Sequence, residues 1–167
     1  MIIKLYKSYY MEILNYSEIY FNEVFDIVHK TIEEIYPKYY PRSAVDFFHD
    51  HHSKENMEKQ LRNEYTIILS NDNKLIGTGT LFGNEIKRFF ILPEYQGKGN
   101  GKLLLKELEK NIDKNIYDYV VLDASLGAIE FYQKNYYEFK NYKTIKLSDG
   151  KYLCYIEMNK NVNKIII

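Results

Sequence analysis

The chain has 167 residues, of which 46% are hydrophobic and 28% charged, a composition that supports one buried core and is short for two. Its 23 basic residues balance 23 acidic ones, which argues against the basic surfaces of nucleic-acid-binding proteins and of helices that lie on membranes. A single cysteine, Cys154, rules out an intramolecular disulfide framework, and no apolar run approaches the roughly 18 residues of a membrane span. We therefore expect a soluble, cytoplasmic protein with a small partner, and neither nucleic acid nor membrane among its ligands.

One domain is predicted, because the sequence contains no linker, internal repeat or low-complexity segment. The domain spans residues 11–160 and opens with a strand at Met11, and residues 161–167 form a C-terminal tail. Residues 1–10 are interpreted either as a dispensable N-terminal extension or as part of the domain. The oligomeric state stays open between a monomer and a homodimer.

Helices are predicted after the first strand. Ser17 is of a residue type that caps helices, and the apolar residues that follow it recur with a period near 3.6 until Pro37 and Pro41 end the pattern. These apolar residues are Ile19, Val24, Ile27, Val28, Ile32 and Ile35. Ser43 begins a second helical region, and Ser53 restarts it.

The hydrophobic period then changes from that of helices to that of strands. Three strands are predicted in a meander, followed by a helix, a strand, a short helix and a closing hairpin that turns at residues 148–150. In chain order these elements occupy 64–70, 75–82, 85–93, 102–112, 117–125, 127–135 and 137–158. The sequence thus predicts one mixed α/β sheet of about seven strands, with about four helices on its two faces.

Three alternate glycines, Gly97, Gly99 and Gly101, precede the third predicted helix. Glycine destabilises regular structure by roughly 0.5 to 1 kcal/mol per site relative to alanine, so this cluster indicates that the backbone itself has a role. The segment does not match a Walker phosphate loop, because Gln96 and Leu103 occupy two of its required positions. It does not match a dinucleotide-binding fingerprint either, because the last glycine of that motif is missing. Two interpretations remain: a flexible turn, or exposed N–H groups at a helix start that bind a phosphate or pyrophosphate.

Two motifs carry a resemblance to a known family. The segment 96–101, Gln-Gly-Lys-Gly-Asn-Gly, resembles the [QR]-x-x-G-x-[GA] motif of the GNAT superfamily of acyl-CoA-dependent N-acyltransferases. The segment 127–139 resembles the second signature of that family, small-x-x-[FL]-Y-x-[KR]-x-G-[FY], and the element order over 11–158 fits the family from end to end. One departure is Tyr136, which stands where the signature has glycine, so we expect Asn135 to adopt the left-handed conformation instead.

The resemblance implies the GNAT fold and transfer of an acetyl group from acetyl-CoA to a primary amine, by direct attack in a ternary complex. Backbone amides over 97–102 would hold the CoA pyrophosphate, and the fourth strand would splay from the fifth so that the pantetheine arm pairs near Phe89 and Ile91. Tyr132 matches the usual general acid, which protonates the leaving thiolate, and Ser125 matches a position that contacts the pantetheine or thiolate region. The cofactor-binding residues implied are Phe89, Ile91, Gln96, Gly97, Lys98, Gly99, Asn100, Gly101, Lys102 and Ser125. The alternative function is a non-catalytic acyl-CoA-binding or regulatory module on the same fold.

This chemistry also requires a base, because an alkyl amine with a pKa of about 10.4 is protonated at neutral pH. Glu85 lies eleven residues before Gln96, a spacing that resembles the protein-lysine-acetylating branch of the family, where a glutamate serves as base. The alternative for Glu85 is a solvated charge at the start of a strand. Glu94 is interpreted as a surface residue of the loop.

The acceptor is open between a small-molecule amine, such as a polyamine, and a peptide or protein amine. In the family that the sequence resembles, the segment between the first two helices and the last hairpin line the acceptor pocket. The acceptor-binding residues that this suggests are Tyr39, Tyr40, Phe47, His51 and Tyr152.

The histidines His49, His51 and His52 allow three interpretations. Positions 49 and 52 can share a helix face and bind a metal ion, but no second cluster of ligands supports a metal site, so none is expected. The other two interpretations are a solvated helix end and an acceptor-site or proton-relay role for one of the three.

Overall fold

The computed structural model describes residues 10–163, so residues 1–9 of the predicted extension and 164–167 of the predicted tail lie outside the described residues. Its five α-helices are α1 (Phe21–Ile35), α2 (Arg42–His51), α3 (Lys54–Leu61), α4 (Asn100–Lys110) and α5 (Ile129–Lys134). Its seven strands are β1 (Met11–Asn15), β2 (Tyr65–Asn71), β3 (Lys74–Phe82), β4 (Glu85–Ile91), β5 (Tyr119–Ser125), β6 (Glu138–Lys146) and β7 (Tyr152–Asn161). None of the helices over residues 10–163 is long and apolar enough to cross a membrane.

The strands form one mixed sheet in the order β1-β2-β3-β4-β5-β7-β6. Neighbouring strands are antiparallel except β4 and β5, which run parallel and are connected through α4. A parallel pair needs such a crossover, whereas the antiparallel pairs β2–β3, β3–β4 and β6–β7 are joined by short turns. The predicted mixed sheet, with its meander and closing hairpin, is confirmed.

Two hydrophobic cores lie on opposite faces of the sheet. Alternate residues of β2 enter different cores, since Ile67 packs with α4 while Ile68 packs with α1. Helix α4 buries Leu104, Leu105 and Leu108 in the first core, and α1 and α2 fill the second. Each fully buried aliphatic side chain contributes roughly 1.5 to 3 kcal/mol, so the helices are stabilised mainly by this packing.

The start of the first helix differs from the prediction. A 3-10 turn over Glu18–Tyr20 precedes α1, which begins at Phe21, and the Ser17 side chain caps neither element. Ile19 lies in this turn and is 77% exposed, because the turn takes it off the apolar stripe of α1. The predicted restart at Ser53 is confirmed, since its hydroxyl accepts a hydrogen bond from Asn56 N at the start of α3.

Strand β4 separates from β5 soon after it begins. The parallel ladder has two residue pairs, Glu85 with Val121 and Ile86 with Leu122. A bulge follows in β4, because the three steps from Lys87 to Phe90 lie opposite only two steps of β3, from Thr80 to Thr78. Arg88 lies within this bulge and has a φ of 44°. A gap therefore opens between the C-terminal halves of β4 and β5, as the resemblance implied.

Candidate active site

The loop between β4 and α4 presents a row of unpaired backbone amides. The first hydrogen bond of α4 runs from Leu103 N to Gly99 O and is 3.0 Å long. Within the described residues, the N–H groups of residues 97–102 have no main-chain acceptor. These amides and the positive end of the helix dipole form a site suited to an anion such as a diphosphate.

Each of the three glycines has a structural reason. Gly97 and Gly99 have φ values of 72° and 86°, a left-handed conformation that disfavours side chains. Gly101 is helical, but a Cβ atom there would lie 3.1 Å from two ring carbons of Phe131 on α5. Backbone conformation thus explains two glycines, and close packing of α4 on α5 explains the third.

Polar side chains fix the path of this loop. Gln96 Nε2 donates to Ile91 O (2.8 Å), and Asn100 Nδ2 donates to Tyr95 O (2.8 Å). Lys98 Nζ donates to a main-chain carbonyl at residue 94, 2.7 Å away. These contacts hold the loop in shape and leave its amides exposed.

A cavity of about 350 Å³ lies at the gap between β4 and β5. Its lining comes from both hydrophobic cores, with Phe89 and Tyr132 from one and Phe48 and Leu153 from the other. The cavity therefore passes through the gap from one face of the sheet to the other. Six residues predicted from the sequence line it: Phe47, His51, Glu85, Phe89, Ser125 and Tyr132.

Tyr132 projects from α5 into this cavity and is only 6% exposed. Its ring packs against Phe89 and Phe131, with centroids 6.1 and 5.1 Å away. Burial raises the pKa of the Tyr132 phenol well above its usual value, and the nearby Tyr36 hydroxyl adds to this. Tyr132 is therefore a neutral phenol at physiological pH, able to donate a proton.

The end of α5 corrects one prediction, since Tyr136 adopts the left-handed conformation (φ 69°) and Asn135 does not (φ −103°). Tyr137 N donates to Tyr132 O and Tyr136 N donates to Gln133 O, which is the Schellman pattern. That pattern fixes the left-handed residue at position 136 whatever its side chain, and the Tyr136 ring is 60% exposed and clear of the helix. The register of α5 therefore places Tyr132 as the signature requires.

Glu85, the first residue of β4, lines the cavity with a side chain that is 39% exposed. Its carboxylate lies 3.4 Å from Lys87 Nζ. Glu94, by contrast, forms surface ion pairs with Lys30 (3.0 Å) and Lys74 (3.5 Å).

The structure adds cavity residues that the sequence did not suggest. Asp123 lies two residues before Ser125 on β5, and residues two apart on a strand point to the same face of the sheet. This spacing from a predicted site residue is the sequence signal that could have identified Asp123. Tyr36 also lines the cavity, and burial raises its pKa to about 12 although the neighbouring Ser125 side chain lowers it in part. Arg88 reaches the cavity from the β4 bulge.

The histidines divide into two groups. His51 and His52 line the cavity, and burial lowers both pKa values, that of His52 to about 3, so both rings are neutral at neutral pH. His49 lies apart, with Nδ1 2.7 Å from His29 Nδ1 and Nε2 2.9 Å from Glu33 Oε2. Among residues 10–163 no group of three or more histidine, cysteine or acidic side chains is arranged to hold a metal ion.

The other predicted acceptor residues lie outside this cavity. Tyr40 is buried, its hydroxyl donating to Cys154 O (3.0 Å) and accepting from Leu126 N (2.8 Å). Tyr39 packs on Gly127, and Tyr152 is 56% exposed near the tip of the last hairpin. An acceptor-binding role for Tyr39, Tyr40 or Tyr152 stays a prediction.

Solved structures share this fold. A GCN5-related N-acetyltransferase from Rhodopseudomonas palustris has a TM-score of 0.82 at 22% identity, covering 90% of this chain and 94% of that one. The PaiA N-acetyltransferase from Thermoplasma acidophilum, in complex with coenzyme A, has a TM-score of 0.69 at 20% identity and covers 91% and 99%. The ribosomal-protein-S18-alanine N-acetyltransferase from Escherichia coli has a TM-score of 0.68 at 14% identity and covers 94% and 97%. The fold is thus that of acetyltransferases.

A profile of the acetyltransferase (GNAT) domain matches residues 35–162. The chain therefore belongs to the GNAT family, and it is an acyltransferase. No curated protein sequence gave a significant match.

Proposed function

We propose that this enzyme transfers an acetyl group from acetyl-CoA to a primary amine, by direct attack in a ternary complex. The observation that carries the proposal is the cavity that crosses the β4–β5 gap, because it joins a buried phenol to an acceptor-sized space on the other face. The exposed amides over 97–102 lie at the end of the same strand, where they are suited to the CoA diphosphate.

The residues are assigned the following roles. Glu85 takes a proton from the acceptor ammonium, through a water molecule, so that the free amine attacks the thioester carbonyl. A backbone N–H of the unpaired β4 edge near Phe89 and Ile91 polarises that carbonyl, and Ser125 contacts the pantetheine or thiolate region. Tyr132 then gives its proton to the thiolate as the carbon–sulfur bond breaks. A second proton leaves the new amide nitrogen for solvent.

A screen of acetyl-CoA consumption tests the reaction, with alkyl amines, polyamines, aminoglycosides and lysine peptides as acceptors. Turnover with one of these classes is the expected result. The second candidate, a non-catalytic acyl-CoA-binding module, is favoured if coenzyme A binds tightly and none of the acceptors is acetylated. Absence of CoA binding contradicts both.

Gly99→Ala is expected to weaken coenzyme A binding by about tenfold. An alanine at φ 86° costs roughly 1 to 2 kcal/mol in that conformation, so the loop shifts and its amides turn away from the diphosphate. Isothermal titration of coenzyme A measures the Kd. Gly150→Ala is the matched control, since Gly150 has a φ of 82° and equal open space but lies in the last hairpin. Equal Kd values for the two variants would contradict the assigned role of the loop.

Glu85→Gln is expected to lower kcat/KM at pH 7 by about tenfold or more and to steepen its rise toward high pH. Without the carboxylate, solvent has to deprotonate an amine whose pKa is about 10.4. The pH profile of kcat/KM over pH 6–10 is the measurement, with Glu138→Gln on the exposed strand β6 as control. A Glu85→Gln profile that superposes on the wild type would leave Glu85 as a solvated charge.

A further inference from the structure

We propose that Asp123 binds the acceptor as a cation, and that the acceptors of this enzyme are therefore alkyl amines that enter as ammonium ions. The inference rests on the proposed function and names the residue that selects the acceptor. Asp123 recognises the ammonium group, while the deprotonation step remains with Glu85.

Asp123 lies on β5 at the point where β4 and β5 separate. The β4–β5 ladder ends at Leu122, so Asp123 is the first β5 residue beyond it and stands where the gap opens. Its side chain shares a face of β5 with Ser125, two residues on, and both line the cavity. Glu85 pairs with Val121 of β5, whose side chain lies on the same face as that of Asp123 but two residues further from Ser125. Asp123 is thus nearer to the gap than Glu85.

Asp123 shares its counter-ion with a second carboxylate. Glu157 lies directly opposite it on β7, and the two carboxylates share Lys143 of β6. Lys143 contacts Glu157 closely but lies 3.6 Å from Asp123. The pKa of Glu157 is lowered by its hydrogen bond to Lys143, whereas burial raises the pKa of Asp123. The Asp123 side chain is 42% exposed and so is accessible to a cation in the cavity, and one lysine between two carboxylates leaves a net negative charge there.

The other charged groups that face the cavity already have partners. Lys87 lies 3.4 Å from Glu85 and 3.8 Å from Glu64, and its ammonium lies over the Phe82 ring at 5.0 Å. Arg88 forms a buried ion pair with Glu64. The neighbouring His51 and His52 are neutral at neutral pH because burial lowers their pKa values. An anionic acceptor would therefore find no free cation among these residues, whereas Asp123 offers a site for an ammonium group.

The remaining lining suits the carbon chain of an amine. Phe47, Phe48 and Tyr155, which pack against the core of α1 and α2, contribute aromatic surface on the acceptor side of the cavity. Aromatic faces attract ammonium groups and pack against methylene groups at the same time. The whole cavity, including the side lined by Phe89 and Tyr132, has a volume of about 350 Å³, which is at the small end of the range for small-molecule sites, so the part open to an acceptor is smaller. A compact alkyl amine matches this cavity in charge, in polarity and in size.

Steady-state kinetics of Asp123→Asn with an alkyl amine acceptor is the primary test. The KM for the amine is expected to rise by about 10- to 100-fold, since a charge-assisted contact is lost, while kcat and the KM for acetyl-CoA change by less than about threefold. Asp123→Glu is expected to recover part of the affinity. Glu157→Gln leaves Lys143 to Asp123 alone, so its amine KM is expected to rise too, by less than that of Asp123→Asn. Glu138→Gln, at an exposed position of β6, is the control and is expected to keep the wild-type amine KM. In the wild type, the amine KM is expected to rise as the pH falls toward the raised pKa of Asp123, because the protonated carboxyl carries no charge.

A second measurement separates this inference from the proposed function. An alkyltrimethylammonium ion has no N–H and cannot be acetylated, so calorimetry measures cation binding without turnover. Binding to the wild type and its loss in Asp123→Asn support the inference even if no amine is turned over. Equal binding to both proteins, no binding to either, or an unchanged amine KM in Asp123→Asn overturns it, whereas the acetyl transfer itself is judged by turnover alone.

Discussion

Tyr132→Phe is expected to lower kcat by about two to three orders of magnitude and to leave the Kd for acetyl-CoA within about twofold of the wild-type value. The substitution removes one hydroxyl from a buried ring and keeps the packing on Phe89 and Phe131. Single-turnover acetylation measures the chemical step, and calorimetry measures cofactor binding.

The physical reason is the protonation state of this phenol. Burial raises the pKa of Tyr132 far above its usual value, so the hydroxyl keeps its proton at any physiological pH. A raised pKa by itself makes the phenol a weaker acid, but a thiolate that forms beside it in the same buried environment is desolvated too and becomes more basic, which favours proton transfer between the two. Phenylalanine has no proton to give, so the thiolate has to leave as an anion.

Tyr137→Phe is the matched control for this experiment. Tyr137 is a second buried tyrosine, with its ring centroid 5.5 Å from that of Tyr132. Its hydroxyl donates to Glu109 (2.9 Å) on α4 and does not line the cavity. The control is expected to lose stability but to retain kcat. If Tyr132→Phe also retains kcat, Tyr132 is a packing residue and the general acid lies elsewhere.

Local sequence signals predicted the parts of the structure that depend on local physics. The change from a period near 3.6 to strand alternation located the sheet, because each pattern has one backbone conformation that buries it. Gly97 and Gly99 predicted an unusual backbone, and both have left-handed φ values. The Ser53 side chain caps α3 as predicted. The Ser17 side chain caps no helix, because a 3-10 turn lies between Ser17 and α1.

The residues that the sequence missed depend on long-range pairing. Asp123 enters the cavity because the β4–β5 ladder ends one residue before it. Arg88 reaches the same cavity because a bulge turns it into a left-handed conformation that its sequence context does not predict. Tyr36 meets Ser125 from a segment 89 positions earlier in the chain. Hydrophobic periodicity and secondary-structure propensity depend on neighbours along the chain, so they do not predict contacts between residues that are far apart in the sequence.

Glu64→Gln is expected to lower the free energy of unfolding by about 3 to 5 kcal/mol. The Glu64 and Arg88 side chains are 8% and 3% exposed and form an ion pair, with Gln60 as a further partner of the guanidinium. Burial lowers the pKa of Arg88 only to about 10, so the guanidinium stays charged at neutral pH. Removing the carboxylate therefore leaves a buried positive charge without a counter-ion. Urea unfolding at pH 7 measures the loss.

A double variant shows whether the charge itself is responsible. Glu64→Gln with Arg88→Met removes both charges, and it is expected to regain most of the lost stability, because a buried ion pair replaced by uncharged groups of similar volume is close to neutral. Glu138→Gln, an exposed position at the start of β6, is the control and is expected to change stability by less than about 0.5 kcal/mol. Equal stability losses in the single and double variants would mean that packing, and not charge, holds this region. Since Arg88 lies in the bulge after which β4 leaves β5, the ion pair with Glu64 stabilises the backbone next to the gap that the cavity crosses.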